Sequence, residues 1–480
     1  MSDVPTSAGP KLAVEVDHYA IAEAPPVERP SALRRVWARF HAASPFASNV
    51  ALTMGANVVL GVVGLITGPI CARLLGPSGR GELAAIQNLY WLAATLAMLG
   101  VPEATLYFTA RRDRESRRLL ASGIVLVLLV YPVFYLCAYF LAPYFLAAQS
   151  HVVVQTARWV LLGLPLYALL TIPLFSLRGN NDLVRWNLMR LVPAIGWFAL
   201  LVALFFAGAP TPRNVAFGYL GVLAAGLIPT VWVVRRRTSG SSSPQPELWP
   251  KLLRYGLPLA LAEIPLTLNL RLDQMLMAAF LPARLLGLYV VAVAWGNTVP
   301  PLLYAIGTVL FPRVARADAS DRPALLAQGV RIGIFAALIL AVFLAAVTPF
   351  TVPLLFGKAF QESVAVAVVL VFASAICGVN VVLEEGLRGL GETSSVFLGE
   401  IAGLAVTLLG LIALLRPFGI FGAGVASFLG YLGTTIALLF RIRMKLHIRF
   451  ADLVIPRSRE LKEAWGRCVS LKRGFLNAQD

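Results

Sequence analysis

Apolar runs close to 20 residues or longer recur along this 480-residue chain from Ser48 to Phe440, and they constrain it more than any other feature. A helix rises about 1.5 Å per residue, so about 20 apolar residues cross a hydrocarbon core roughly 30 Å thick. Lipid gives the backbone no hydrogen-bond partners, so runs of this length are expected to be helices. The chain is 58% hydrophobic and only 14% charged, where an average soluble domain is about 25% charged. It reads as an all-α, polytopic integral membrane protein.

Windows of about 19 residues give twelve spans, at roughly 49–75, 84–107, 119–142, 155–177, 187–207, 214–234, 255–280, 287–311, 329–349, 363–387, 395–415 and 419–440. Residues 1–47 are polar and rich in Pro and Ala, and are expected to form a disordered tail. The first apolar segment starts late and is too long for a signal-peptide core, so it reads as a retained helix.

The formal net charge of +17 is mainly a topology signal. Of 41 Lys and Arg residues, 33 fall in the two tails and the even-numbered turnarounds, seven fall on the other side, and Arg271 lies inside a span. The positive-inside rule then places both termini in the cytoplasm. Nucleic acid is not an expected partner. The longest inward connection, "RRRTSGSSSPQPELWPK" (Arg235–Lys251), has linker composition and divides the chain six spans from six. The expected organisation is a tail 1–47, a first lobe 48–237, a cytoplasmic linker 238–250, a second lobe 251–443 and a cytoplasmic tail 444–480.

The halves echo each other. "LLGPSGRGELAAI" (Leu74–Ile86) is similar to "FLPARLLGLYVVA" (Phe280–Ala292), with Gly81 over Gly287 at an offset of 206. "LYFTARR" after the second span echoes "LFPRVAR" after the eighth. Six is even, so the halves would be parallel repeats about an axis along the membrane normal, with a site between them near the midplane.

Charge inside a span is costly and marks a function or a partner. In "TLNLRLDQML" (Thr267–Leu276), about 100° per residue puts Glu263, Thr267, Arg271 and Gln274 within one arc, with Asn269 and Asp273 on another face. Arg271 reads either as a cation for diphosphate or acidic sugar or as half of an internal salt bridge. Asp273 reads as a structural partner. Asn380, Glu384 and Arg388 stack at i, i+4 and i+8, with Glu384 before Arg388 in the favourable order for an ion pair. Glu103 reads as interfacial, and Glu400 lies inside the eleventh span. Asn57, Asn88 and Asn297 read as bonds between helices. The four Cys and four His are dispersed, so no disulfide, metal site or cofactor is expected. No G-x-x-x-x-G-K-[ST] motif encodes an ATP-driven pump. The short outward loops leave little room for the catalytic site of a polysaccharide polymerase or ligase, so an enzyme is not expected.

"ARLLGPSGRGELAAI", "LGVPEATLYFTARR", "LDQMLMAAFLPARLLGLYVVA" and "LFGKAFQESVAVAVVL" resemble the polysaccharide-exporting flippases of the multidrug/oligosaccharidyl-lipid/polysaccharide superfamily. The resemblance runs from Ser48 to Lys445 and carries the six-plus-six layout. It implies twelve transmembrane helices in two six-helix lobes around a central cavity. It also implies alternating access and a polyprenyl-diphosphate-linked oligosaccharide as substrate, in the bacterial cytoplasmic membrane. Implied partners are membrane lipids and a polysaccharide polymerase or export machinery. The chain departs from the lipid II branch, which has two further spans. A cation- or proton-coupled efflux antiporter of the same superfamily stays open beside it, with Glu263 or Asp273 as the coupling acid. The substrate-binding candidates are Arg271, Glu263, Thr267, Gln274 and Glu400; the structural or coupling candidates are Asp273, Asn269, Glu384, Arg388 and Glu103.

Overall fold

Every regular element of the computed structural model is a helix among the described residues, which are 45–111, 116–208, 210–238 and 240–454. The expected disordered tail, apart from its last residues, and the part of the C-terminal tail beyond Val454 lie outside them. Two units are distinguished. Met1–Ala51 is described only at the start of the first helix, and Leu52–Asp480 holds everything that follows.

In chain order the helices are α1 (Pro45–Ala97), α2 (Val101–Ala110), α3 (Ser116–Phe145), α4 (His151–Val160), α5 (Leu164–Gly179), α6 (Leu183–Phe206), α7 (Pro212–Arg237), α8 (Trp249–Asn269), α9 (Leu272–Phe280), α10 (Ala283–Gly296), α11 (Pro300–Arg316), α12 (Arg322–Phe356), α13 (Ser363–Gly389), α14 (Thr393–Leu446) and α15 (Phe450–Val454). Among the described residues eight helical stretches are long and apolar enough to cross a membrane, or nine when the bent pair α10–α11 counts as one. This differs from the twelve expected spans for local reasons. α1 and α14 each join two expected spans across a non-helical glycine, Gly76 (φ 66°) and Gly419 (φ 55°). Pro77 follows the first and Pro417 precedes the second, so each break is a turn written in Gly and Pro. The seventh span is broken in two, as α8 and α9.

The surface is inverted relative to a soluble protein. Phe206, Ile228 and Phe350 are 75–81% exposed, whereas Asn269, Asp273, Glu384 and Glu400 are buried. Apolar residues outside and polar residues bonded inside are what a lipid solvent demands. In the second half of the chain α13 is the hub, packed on α10, α11, α12 and α14; in the first half α5 packs on α2, α3 and α7. α8 touches both α14 and α2, and α9 touches both α14 and α3, so this broken span lies between the halves.

The two ends of the helices differ in charge. At the basic end Arg117 bonds the Arg235 and Thr238 carbonyls at 2.7 and 2.6 Å, tying α3 to the end of α7. Asp182 takes Arg185 at 2.9 Å and Arg237 at 3.7 Å. The linker is anchored: Gln245 N–H donates to the Ser122 hydroxyl at 2.8 Å and the Trp249 indole to the Ser122 carbonyl at 3.2 Å. At the same end Lys445 pairs with Glu392 at 2.8 Å and holds its carboxyl below the usual range. At the sparsely charged end Arg284 does the same to Glu362, at 2.7 Å.

Candidate functional site

The break in the seventh span is local chemistry. Pro265 has no N–H to give, and the Asp273 side chain competes for a backbone group. Arg271 N–H turns to the Leu268 carbonyl at 3.0 Å, and the helix restarts with Met275 N–H on the Arg271 carbonyl at 3.1 Å. The Asp273 carboxylate accepts the Gln274 N–H at 2.7 Å. Arg271 therefore sits at the break, with φ −135° and ψ −12°.

That break changes the expected geometry. The single polar arc of Glu263, Thr267, Arg271 and Gln274 assumes an unbroken helix. In the structure Glu263 and Thr267 stand on α8 and Gln274 on α9. Arg271 and Gln274 still converge, through a residue of the other half. The Arg271 guanidinium donates to the Asn88 side-chain carbonyl at 3.3 Å, and the Asn88 side-chain amide donates to the Gln274 side-chain carbonyl at 3.2 Å. Among the described residues no carboxylate forms an ion pair with Arg271; Asp273 is the acid within electrostatic reach.

From Arg271 a string of polar groups runs toward the basic end. Tyr167 on α5 lies within electrostatic reach of both Arg271 and Glu103. Glu103, in the first turn of α2, is within reach of Glu263, and Glu263 of Arg388. Glu263 is exposed; Thr267 and Glu103 are half-buried. Arg388 bonds Glu384 at 3.2 Å and Glu385 at 2.6 Å. This string crosses both halves, with a guanidinium near each end and Tyr167, Glu103 and Glu263 between them.

The other candidates form a second, drier group in the second half. Asp273 accepts the Tyr289 hydroxyl at 2.5 Å and the Ser427 hydroxyl at 3.3 Å. Asn269 donates to Glu400 at 3.3 Å and accepts from Thr407 at 2.8 Å. Asn269 of α8 thus meets Glu400 and Thr407 of α14 on polar atoms. Asn380 donates to the Tyr431 carbonyl at 2.9 Å and accepts from Thr435 at 2.6 Å. Among the described residues no group of three or more His, Cys, Asp or Glu could hold a metal ion.

Tyr167, Tyr289, Ser427 and Thr407 are site residues that the sequence does not single out. A Tyr, Ser or Thr in an apolar run carries no charge and leaves little signal until its partner is known. Asn88 does bond between helices, as its position in a span suggests, and its partners prove to be Arg271 and Gln274 of the other half.

The family model described as "Polysaccharide biosynthesis protein" matches residues 46–318. Among solved structures the chain is similar to "Lipid II flippase MurJ, inward closed conformation" at a TM-score of 0.68 and 14% identity, over 82% of this chain and 89% of that one. It is also similar to the "Inward-facing conformation of a multidrug resistance MATE family transporter of the MOP superfamily", at 0.61 and 15%, over 82% and 94%. A third is the "Outward-facing conformation of a multidrug resistance MATE family transporter of the MOP superfamily", at 0.57 and 15%, over 85% and 97%. No curated protein matches. These likenesses give the fold: a multi-pass helical membrane protein of the MurJ and MATE type.

Proposed function

The chain belongs to the polysaccharide biosynthesis protein family of the MOP flippase superfamily, and from that premise we propose that it flips a polyprenyl-diphosphate-linked oligosaccharide across the bacterial cytoplasmic membrane by alternating access. Twelve spans in two six-helix lobes, both termini cytoplasmic, complete the reading. Turns at Gly76 and Gly419 then separate spans one from two and eleven from twelve. The solved structures of this fold are named as flippases and transporters, in keeping with a carrier rather than a catalyst.

The observation that carries the proposal is Arg271. It is mostly withdrawn from solvent at a helix break between the halves, bonded to one neutral amide and to no acid among the described residues. A guanidinium kept there with no acid bonded to it is costly unless an anion visits it. A diphosphate fits, because the planar fork of donors matches phosphate oxygens two at a time. Glu263, Thr267 and Gln274 stand along the same broken span, where sugar hydroxyls offer both donors and acceptors.

The test is chemical. Loss of the protein should make a lipid-linked glycan accumulate, identifiable by mass spectrometry. Arg271→Ala should reproduce that accumulation at normal membrane abundance, and Arg271→Lys should restore part of the export. Rescue of Arg271→Gln by Asp273→Asn would defeat the reading and leave a structural ion pair, since a deleted buried pair costs far less than an orphaned charge.

A further inference from the structure

We propose that Arg73 and Gln149 are a matched pair of latches that hold the two halves of the chain shut at the sparsely charged end. Each side chain from the first half caps the end of a helix in the second half. Arg73 Nε donates to the Leu355 carbonyl at 2.7 Å, and its Nη2 donates to the Leu354 carbonyl. These are among the last carbonyls of α12, which have no partner within their own helix. Gln149 Nε2 donates to the Ala278 carbonyl at 2.8 Å and the Leu281 carbonyl at 3.0 Å, at the end of α9.

The two caps are related by the repeat. The offset of 206 that lays Gly81 on Gly287 carries Gln149 onto Leu355, the residue that Arg73 grips. It carries Arg73 onto Ala279, which lies between the two residues that Gln149 grips. Arg73 thus holds the counterpart of Gln149, and Gln149 holds the residues on either side of the counterpart of Arg73. The repeat glycines also touch each other's segments: a Cβ on Gly81 would lie 1.7 Å from the Ala283 carbonyl oxygen, and one on Gly287 1.8 Å from that of Pro77.

The latches suit a contact that has to break. All four acceptors are backbone carbonyls at helix ends, which water can serve once the halves part. Arg73 is exposed and Gln149 half-buried, so neither donor is stranded on release. The Arg73 charge also complements the negative end of the α12 dipole while the contact lasts. In the alternating-access reading, on which this inference rests, both caps let go together when this end opens.

The test reads the seam and not the transport. Ala85, 1% exposed, borders the seam with Met275 and Ala278. Cys71, Cys137, Cys377 and Cys468 are replaced, Ala85→Cys is introduced, and the protein is held in lipid nanodiscs, where both ends meet buffer. A charged thiosulfonate should label the site about tenfold faster in Arg73→Ala or Gln149→Ala, the effect expected for losing two hydrogen bonds. The double variant should be faster than either, and Arg73→Lys should restore part of the protection. An unchanged rate in the double variant overturns the proposal, and so does an equal rise in Arg213→Ala, where Arg213 lies over the Phe217 ring of its own helix α7. Where the alanine variants do not accumulate, Arg73→Lys and Gln149→Asn supply the same comparison. None of these outcomes depends on the substrate, so the latch and the flippase reading fail separately.

Discussion

Replacing Gly81 or Gly287 by alanine should push the sparsely charged end open. The added Cβ of Gly81→Ala would sit 1.7 Å from the Ala283 oxygen and 2.8 Å from the Gly287 nitrogen, all backbone atoms that no rotamer change can move. A carbon and a carbonyl oxygen rest at about 3.3 Å or more, so the two segments must part by roughly 1.5 Å. Overpacking of this kind costs about 1–3 kcal/mol, charged to the closed arrangement alone. At about 1.4 kcal/mol per factor of ten, the ratio of open to closed molecules should rise by roughly 5- to 150-fold. Spin labels at Ser78→Cys and Gln361→Cys, exposed residues of the two halves at this end, would show it as a longer distance in pulsed electron resonance. Gly256→Ala is the opposite control: its Cβ would meet the Gly100 carbonyl oxygen at 2.4 Å, beside the Tyr107–Tyr255 stack of the basic end. It should leave the Ser78–Gln361 distance short. Unaltered distances in both Gly81→Ala and Gly287→Ala, in folded protein, would refute the argument.

Tyr289→Phe removes the hydroxyl held by Asp273 at 2.5 Å and should cost about 1–3 kcal/mol, read as a lower melting temperature in detergent. The Lys445–Glu392 pair should add a small stability that vanishes in acid. Because Lys445 depresses the folded carboxyl, the contribution is present above the ordinary Glu range and lost as pH falls through the depressed value; wild type and Lys445→Ala should melt apart at neutral pH and together in strong acid. Residues 1–243 and 244–480 expressed as two chains should retain export, with the second piece docked through Gln245 and Trp249 on Ser122; complete loss despite stable co-expression would argue against it. Reporter fusions after Arg237 should read cytoplasm and after Pro210 the outside; a cytoplasmic signal at Pro210 would sink the topology.

Hydropathy made the helical membrane class legible, and loose motifs along the chain made the family legible. The run at Thr267–Leu276 also told where to look, because Arg271 in an apolar stretch has few innocent explanations. Its surroundings were not legible. A helical wheel presumes a continuous helix, and the break at Leu270–Arg271 leaves Glu263 and Gln274 on separate helices. Pro265, Asn269 and Asp273 were the warning, three helix-weakening residues within nine positions. Span count and helix count part for a similar reason: Gly76 and Gly419 turn the chain without ending its hydrogen-bonded run. Asn88, 183 positions from Arg271, and Ser427, 154 from Asp273, are partners that no local pattern can supply.

The contact of Gly81 and Gly287 has no side chain on either partner. It has no torsions to loosen one at a time and almost no apolar area to wet. Parting the two backbones should therefore contribute little to any heat-capacity change on opening. Its barrier should vary little with temperature compared with a seam of interlocked leucines. A rate measured in the cold would then speak for the same step in the warmth.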